Sequence, residues 1–111
     1  MEIYKTRISL YIPSELIEII KEKAYNVGLI KNGEGVVSMY ISMLIMDDLQ
    51  NKYDLPSILD YNKNDIKRVK LSLPDNIREK MKERARELGF ILGNSGNINK
   101  YVLSLIINDN K

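Results

Sequence analysis

The feature that most constrains this chain is that it repeats itself without a gap. Displacing the sequence by 61 residues lays Arg7 on Arg68, Leu10 on Leu71, Pro13 on Pro74, Ala24 on Ala85 and Tyr40 on Tyr101. It also lays Gly28 on Gly89, Gly35 on Gly96 and the pair Leu44-Ile45 on Leu105-Ile106. Proline restricts φ and glycine frees it, so matched Pro and Gly positions mark a shared backbone path as well as a shared composition. With 111 residues the chain can build one core and is too short for two independent ones. Two similar units must therefore share a single interior.

Each copy opens on an alternating segment, Arg7-Ile8-Ser9-Leu10-Tyr11-Ile12 and then Arg68-Val69-Lys70-Leu71-Ser72-Leu73. Period two places Ile8, Leu10 and Ile12 on one face of a strand and Arg7, Ser9 and Tyr11 on the other. In the second copy Val69, Leu71 and Leu73 oppose Arg68, Lys70 and Ser72. A proline closes each strand and is followed by Ser14-Glu15 or Asp75-Asn76, which suit a helix start. Helical spacing follows in Leu16, Ile19, Ile20, Ala24 and Val27, and in Ile77, Met81, Ala85 and Leu88. Gly28 and Gly89 stand where a left-handed C-cap is expected. A loop with two glycines leads to a second helix, with core stripes Val37, Tyr40, Ile41, Leu44, Ile45 and Ile98, Tyr101, Val102, Leu105, Ile106. The expected units span residues 1–50 and 67–111. The connector 51–66 contains Pro56 and the polar run Tyr61-Asn62-Lys63-Asn64-Asp65.

Strand, proline-initiated helix, glycine, loop and apolar second helix within each copy resemble the ribbon-helix-helix (Arc/MetJ-like) DNA-binding family. The residues carrying the resemblance are Arg7 to Pro13, Gly28 and Val37 to Leu49, with Arg68 to Pro74, Gly89 and Ile98 to Ile107. Asn97-Ile98-Asn99-Lys100-Tyr101-Val102 is similar to the family's helix-start pattern, with Asn97 as cap; Val36 holds that place in the first copy, and both loops are longer than the family's. Two copies on one chain resemble small regulators of archaeal viruses and plasmids. The resemblance implies a mainly α fold with one short antiparallel β-ribbon, two tandem units forming one pseudo-symmetric domain. It also implies a ribbon that enters the major groove with its outward side chains on base edges. A lone strand would leave backbone N–H and C=O groups unpaired, so the strand needs a partner. The connector can extend roughly 60 Å, enough for the same chain to supply that partner, although a second chain could equally do so.

Composition narrows the chemistry. The chain has no Cys and no His, which removes disulfides, thiolate metal sites and the commonest general base and metal ligand. The expectation is no enzyme, no cofactor, no metal and no small-molecule substrate. No apolar run approaches the roughly 20 residues of a membrane span, and Glu2 and Lys5 argue against a secretion signal. A cytoplasmic setting, the host's cytoplasm for a viral protein, and no membrane partner are expected. Charge is uneven: residues 1–55 hold six basic against eight acidic groups, and residues 56–111 hold eleven against seven. Such a basic bias suits a polyanion.

The candidate base-reading set is Arg7, Ser9, Tyr11, Arg68, Lys70 and Ser72, which could equally be the wet face of a half-buried hairpin. Arg and Lys can donate to guanine O6 and N7, and Ser to either kind of edge. Helix-start amides around Gly35-Val36 and Gly96-Asn97, with Lys5, Lys67 and Lys100, are candidate phosphate contacts or simple caps. The run Arg78, Lys80, Lys82, Arg84, Arg86 alternates with Glu79, Glu83 and Glu87 and reads as a helix face laced with ion pairs. Asp47-Asp48 reads as a solvated helix end. Met39, Met43 and Met46 form a second apolar arc, available for oligomer contacts on double-stranded DNA or for covering by the connector. The leading expectation is a sequence-specific regulator of transcription, most simply a repressor. An antitoxin-like autoregulator that neutralises a protein partner, and an interaction module without DNA binding, stand as alternatives.

Overall fold

The computed structural model describes residues 5–111; the chain start, with Glu2, lies outside them. Strand β1 (Lys5–Pro13) pairs antiparallel with β4 (Ile66–Pro74), so one chain supplies both strands of the ribbon. The register sets Arg7 opposite Ser72, Ser9 opposite Lys70 and Tyr11 opposite Arg68. It is held by what lies beneath: Leu10, Ile12, Leu71 and Leu73 are buried, and Ile8 and Val69 pack against the same core. Each fully buried side chain is worth about 2 kcal/mol relative to exposure. A slip of one residue in either strand would turn its buried side chains outward.

Below the ribbon lie four helices, α1 (Ser14–Asn26), α2 (Val37–Asn51), α3 (Asp75–Glu87) and α4 (Ile98–Asp109). Their facing stripes make the core: Ile20, Ala24, Tyr40, Ile41, Ile45 from the first copy, and Ile77, Met81, Ala85, Tyr101, Val102, Ile106 from the second. Ile19 and Val27, expected inside, are exposed, and Ile17 packs in their stead. Both α1 and α3 end in the same motif. The Gly28 and Gly89 residues stand at φ +86°, and the following amides, Leu29 and Phe90, donate to Ala24 and Ala85 carbonyls at 2.8 Å.

The long loops are not irregular. Each folds into a small hairpin, β2 (Ile30–Lys31) with β3 (Glu34–Gly35) and β5 (Ile91–Leu92) with β6 (Ser95–Gly96). The described residues therefore form a mixed α/β arrangement with three separate two-stranded antiparallel sheets, two more than the single ribbon expected. Positive φ at Asn32, Gly33 and Gly93 makes the tight reversals. Gly35 and Gly96 press each hairpin on the helix before it: a Cβ would lie 1.9 Å from the Lys21 carbonyl oxygen and 2.0 Å from that of Lys82.

Two polar clusters bolt the copies together. In one, Asp48 at the end of α2 accepts from Arg84 Nε (3.0 Å) and from the Tyr101 hydroxyl (2.5 Å), while Arg84 also donates to the Tyr53 carbonyl. In the other, Asp109 at the end of α4 accepts from Lys23 Nζ (2.9 Å) and the Tyr40 hydroxyl (2.8 Å). The 61-residue repeat maps each member of one cluster onto the other, Asp48 to Asp109, Lys23 to Arg84 and Tyr40 to Tyr101. Each carboxylate thus takes its side-chain partners from the opposite copy, and Asp48 also accepts from the Tyr53 amide at 3.1 Å. Asp48 is only 1% exposed, so it is not the solvated helix end that its sequence context suggested; the α2 terminus abuts α3 and α4. Arg84 likewise leaves the solvent-facing basic run, whose Arg78 and Lys82 do pair with Glu79.

The two clusters differ in depth, and that sets their energetics. The Asp48–Arg84 pair is buried, whereas Lys23 and Asp109 keep about a third and a quarter of their side-chain surface. Asp48→Ala should lower unfolding free energy in urea by about 3 kcal/mol, since the buried Arg84 would lose its buried counter-ion and keep only the half-exposed Glu87 at 3.6 Å. Asp109→Ala should cost about 1 kcal/mol. Equal losses would contradict the difference in depth. Burial first, then the bond to Asp109, pushes the Tyr40 phenol up to about 12, and burial followed by the bond to Asp48 raises Tyr101 as well. Both phenols bind their proton more tightly folded than unfolded, so their contribution is complete below pH 10; that of Tyr40 is lost as pH climbs from 10 toward 12, and that of Tyr101 also declines as pH rises above 10. Melting temperature should fall across that window, and the fall should be shallower in Tyr40→Phe or Tyr101→Phe.

Candidate nucleic-acid interface

The outer face of the ribbon gathers all six side chains singled out from the alternation. Arg7, Ser9, Tyr11, Arg68, Lys70 and Ser72 are exposed and lie in three facing pairs. The hydrogen-bond pattern tells which kind of pair these are. Ser14 N–H reaches the Asp65 carbonyl at 2.9 Å, continuing the ladder, so the even-numbered β1 positions are the bonded pairs. Arg7, Ser9 and Tyr11 then sit in non-bonded pairs, where opposing Cα atoms are about 4.5 Å apart and side chains stand close together. Three cations and no acid occupy this face. At the ends of the ribbon two carboxylates are engaged, Ser14 donating to Asp65 and Thr6 to Asp75.

Asn99, in the first turn of α4, was not singled out from the sequence. Its carboxamide accepts from Tyr11 N–H (2.7 Å) and donates to the Tyr11 carbonyl (3.1 Å). It thereby satisfies the outward N–H and C=O of Tyr11 on the free edge of β1 and ties the start of α4 to the ribbon. Position 38, its repeat equivalent, carries Ser.

At the helix starts, the structure redistributes the donors. The Val36 and Asn97 amides are not free: each donates at 2.8 Å to the carbonyl of Leu29 or Phe90. Gly35 and Gly96 are taken up in the small hairpins. The amides without an intrahelical acceptor are those of the first turn, Val37 to Met39 in α2 and Ile98 to Lys100 in α4. Asn97 does act as a cap, its side chain accepting from Lys100 N–H at 3.2 Å, whereas Val36 supplies no such bond. Lys5, opposite Pro74, and Lys67, opposite Ile12, are exposed at the two ends of the ribbon, and Lys100 is exposed at the start of α4.

The methionine arc is bare. Met39, Met43 and Met46 are 51%, 44% and 47% exposed. The connector does fold back, but onto the other copy: Leu55 joins the core, and Leu59 and Tyr61 face Leu88, Phe90 and Lys100. Six successive residues of α4, Tyr101 to Ile106, are buried, while the outer face of α2 stays open.

Among the described residues no group of three His, Cys, Asp or Glu side chains could hold a metal ion, and no helix is long and apolar enough to cross a membrane. Comparison with protein-family models, curated proteins and solved structures finds no match for this chain.

Proposed function

We propose that this chain is a sequence-specific, double-stranded-DNA-binding regulator of transcription, a repressor in the simplest case, organised as two tandem ribbon-helix-helix units. The observation that carries the reading is the single face of β1–β4 on which Arg7, Arg68 and Lys70 stand clear of the protein beside Ser9, Ser72 and Tyr11. Two strands about 4.8 Å apart, with side chains raised from one face, fit a major groove about 12 Å wide. Arginine and lysine donate to guanine O6 and N7, serine serves donor or acceptor edges, and the tyrosine ring can lie on a base or sugar. The first-turn amides of α2 and those of Ile98 and Asn99 in α4, with Lys5, Lys67 and Lys100, are the groups this reading assigns to the flanking phosphates. On this reading the protein performs no chemistry; it occupies a site that the transcription machinery needs. The open methionine arc of α2 supports self-association of neighbouring bound molecules.

Arg68→Ala with Lys70→Ala should lower operator affinity by at least about thirtyfold, at roughly 1–3 kcal/mol per base contact, and leave the far-ultraviolet circular dichroism unchanged. Affinity of the unaltered protein should fall steeply with salt in a gel-shift titration, as released counterions require. A double variant that binds as tightly as the parent would remove the ribbon from the interface. Met43→Lys should abolish cooperative filling of adjacent sites while leaving affinity for one isolated site unchanged, read by the same titration on single and double sites.

A further inference from the structure

We propose that the ribbon reads its DNA in one fixed orientation, so that the preferred operator is a non-palindromic duplex; the inference rests on the DNA-binding reading above. The register pairs Ser9 with Lys70, and the 61-residue repeat makes those same two positions equivalent. The pseudo-twofold axis relating the copies therefore passes between these two side chains. A ribbon made by two identical chains would put two like residues there. This one puts a short neutral hydroxyl beside a long ammonium, in a non-bonded pair where the two side chains are close neighbours.

The arms repeat the theme with a difference. Arg7 and Arg68 are equivalents on either side of the axis, yet Arg7 faces Ser72 and Arg68 faces Tyr11. Outer contacts by arginine are shared by both halves, whereas the centre and the neighbours of each arginine are not. Positive charge among the candidate DNA contacts is skewed the same way. Lys67, Lys70 and Lys100 in the second copy stand where the first has Thr6, Ser9 and Met39, against Lys5 alone in the reverse sense, over Ile66. Asn99 adds a clamp on β1 where position 38 has a shorter serine.

A duplex backbone looks the same from either end, so only base sequence can report this inequality. Lys70 can take guanine O6 and N7 on one side of the axis, and Ser9 cannot span the same distance on the other. The expected operator keeps the same base at the two outer arginine positions and breaks its symmetry at the central step.

The test is selection of bound duplexes from a random pool, with the full chain and with the double variant Ser9→Lys, Tyr11→Ser, in which both strands present Arg-Lys-Ser. Both altered positions are exposed, and circular dichroism checks the fold. The unaltered chain should enrich a motif whose outer positions are twofold related and whose centre is not. Inverting the central base pairs of that motif should lower its affinity about tenfold, and the double variant should enrich a symmetric centre and be indifferent to inversion. A motif symmetric through its centre for the unaltered chain would overturn the fixed orientation while leaving groove reading intact. Absence of any enriched motif would overturn groove reading itself, and this inference with it.

Discussion

The pairing of β1 with β4 is the interaction on which everything else rests. Two nine-residue strands, sixty-one positions apart in the repeat, satisfy each other's backbone groups and so define an inside and an outside. The inside closes the roof over four helices with Leu10, Ile12, Leu71 and Leu73. The outside is left with Arg7, Ser9, Tyr11, Arg68, Lys70 and Ser72, because successive side chains of a strand point to opposite faces, and these six are exposed. A half-solvated two-stranded ribbon has little stability alone. It persists because it roofs a shared core, in which the helix pair of each copy is fastened to that of the other through Asp48, buried, and Asp109, at the rim.

Those fastenings follow the repeat closely, and the rest of the molecule departs from it in an orderly way. Asp48 and Asp109 play the same part for opposite copies, one deep and one at the rim. The source of the inequality is the connector, which exists once and must lie on one side. By packing Leu59 and Tyr61 near Leu88 and Phe90 it covers the second copy. The equivalent first-copy residues show the consequence, since Val27 remains 58% exposed and Met39 more than half. Symmetry in the sequence therefore survives in the core and is lost at the periphery.

Much of this was legible before any coordinates. Strict alternation identified both strands and the correct outward set, because period two leaves no other assignment of faces. Matched Pro13 and Pro74 located the helix starts, and Gly28 and Gly89 located the ends. The small hairpins were not foreseen, since two-residue strands carry no periodicity and Asn32-Gly33 alone does not distinguish a hairpin from a loop. Asp48 was misread because an acidic pair at a helix end is usually wet; the signal that could have corrected it was its alignment with Asp109, alongside Tyr40 with Tyr101. Val27 was placed inside on helical spacing, which says which face is apolar but not how far along it the neighbour reaches. Asn99 gave no warning, for a carboxamide that caps a strand edge is recognised only once the edge is known.

Having one covalent tether, residues 52–65, between the two halves also changes the population behaviour of the molecule. Where identical subunits must meet, the folded species depends on total concentration and vanishes on dilution. Here strand partners are held within reach of one another at a fixed effective concentration, and assembly of the ribbon is a first-order event. A few copies per cell would be as fully formed as a thousand, so the amount of folded protein would track synthesis directly, without the lag that a second-order step imposes.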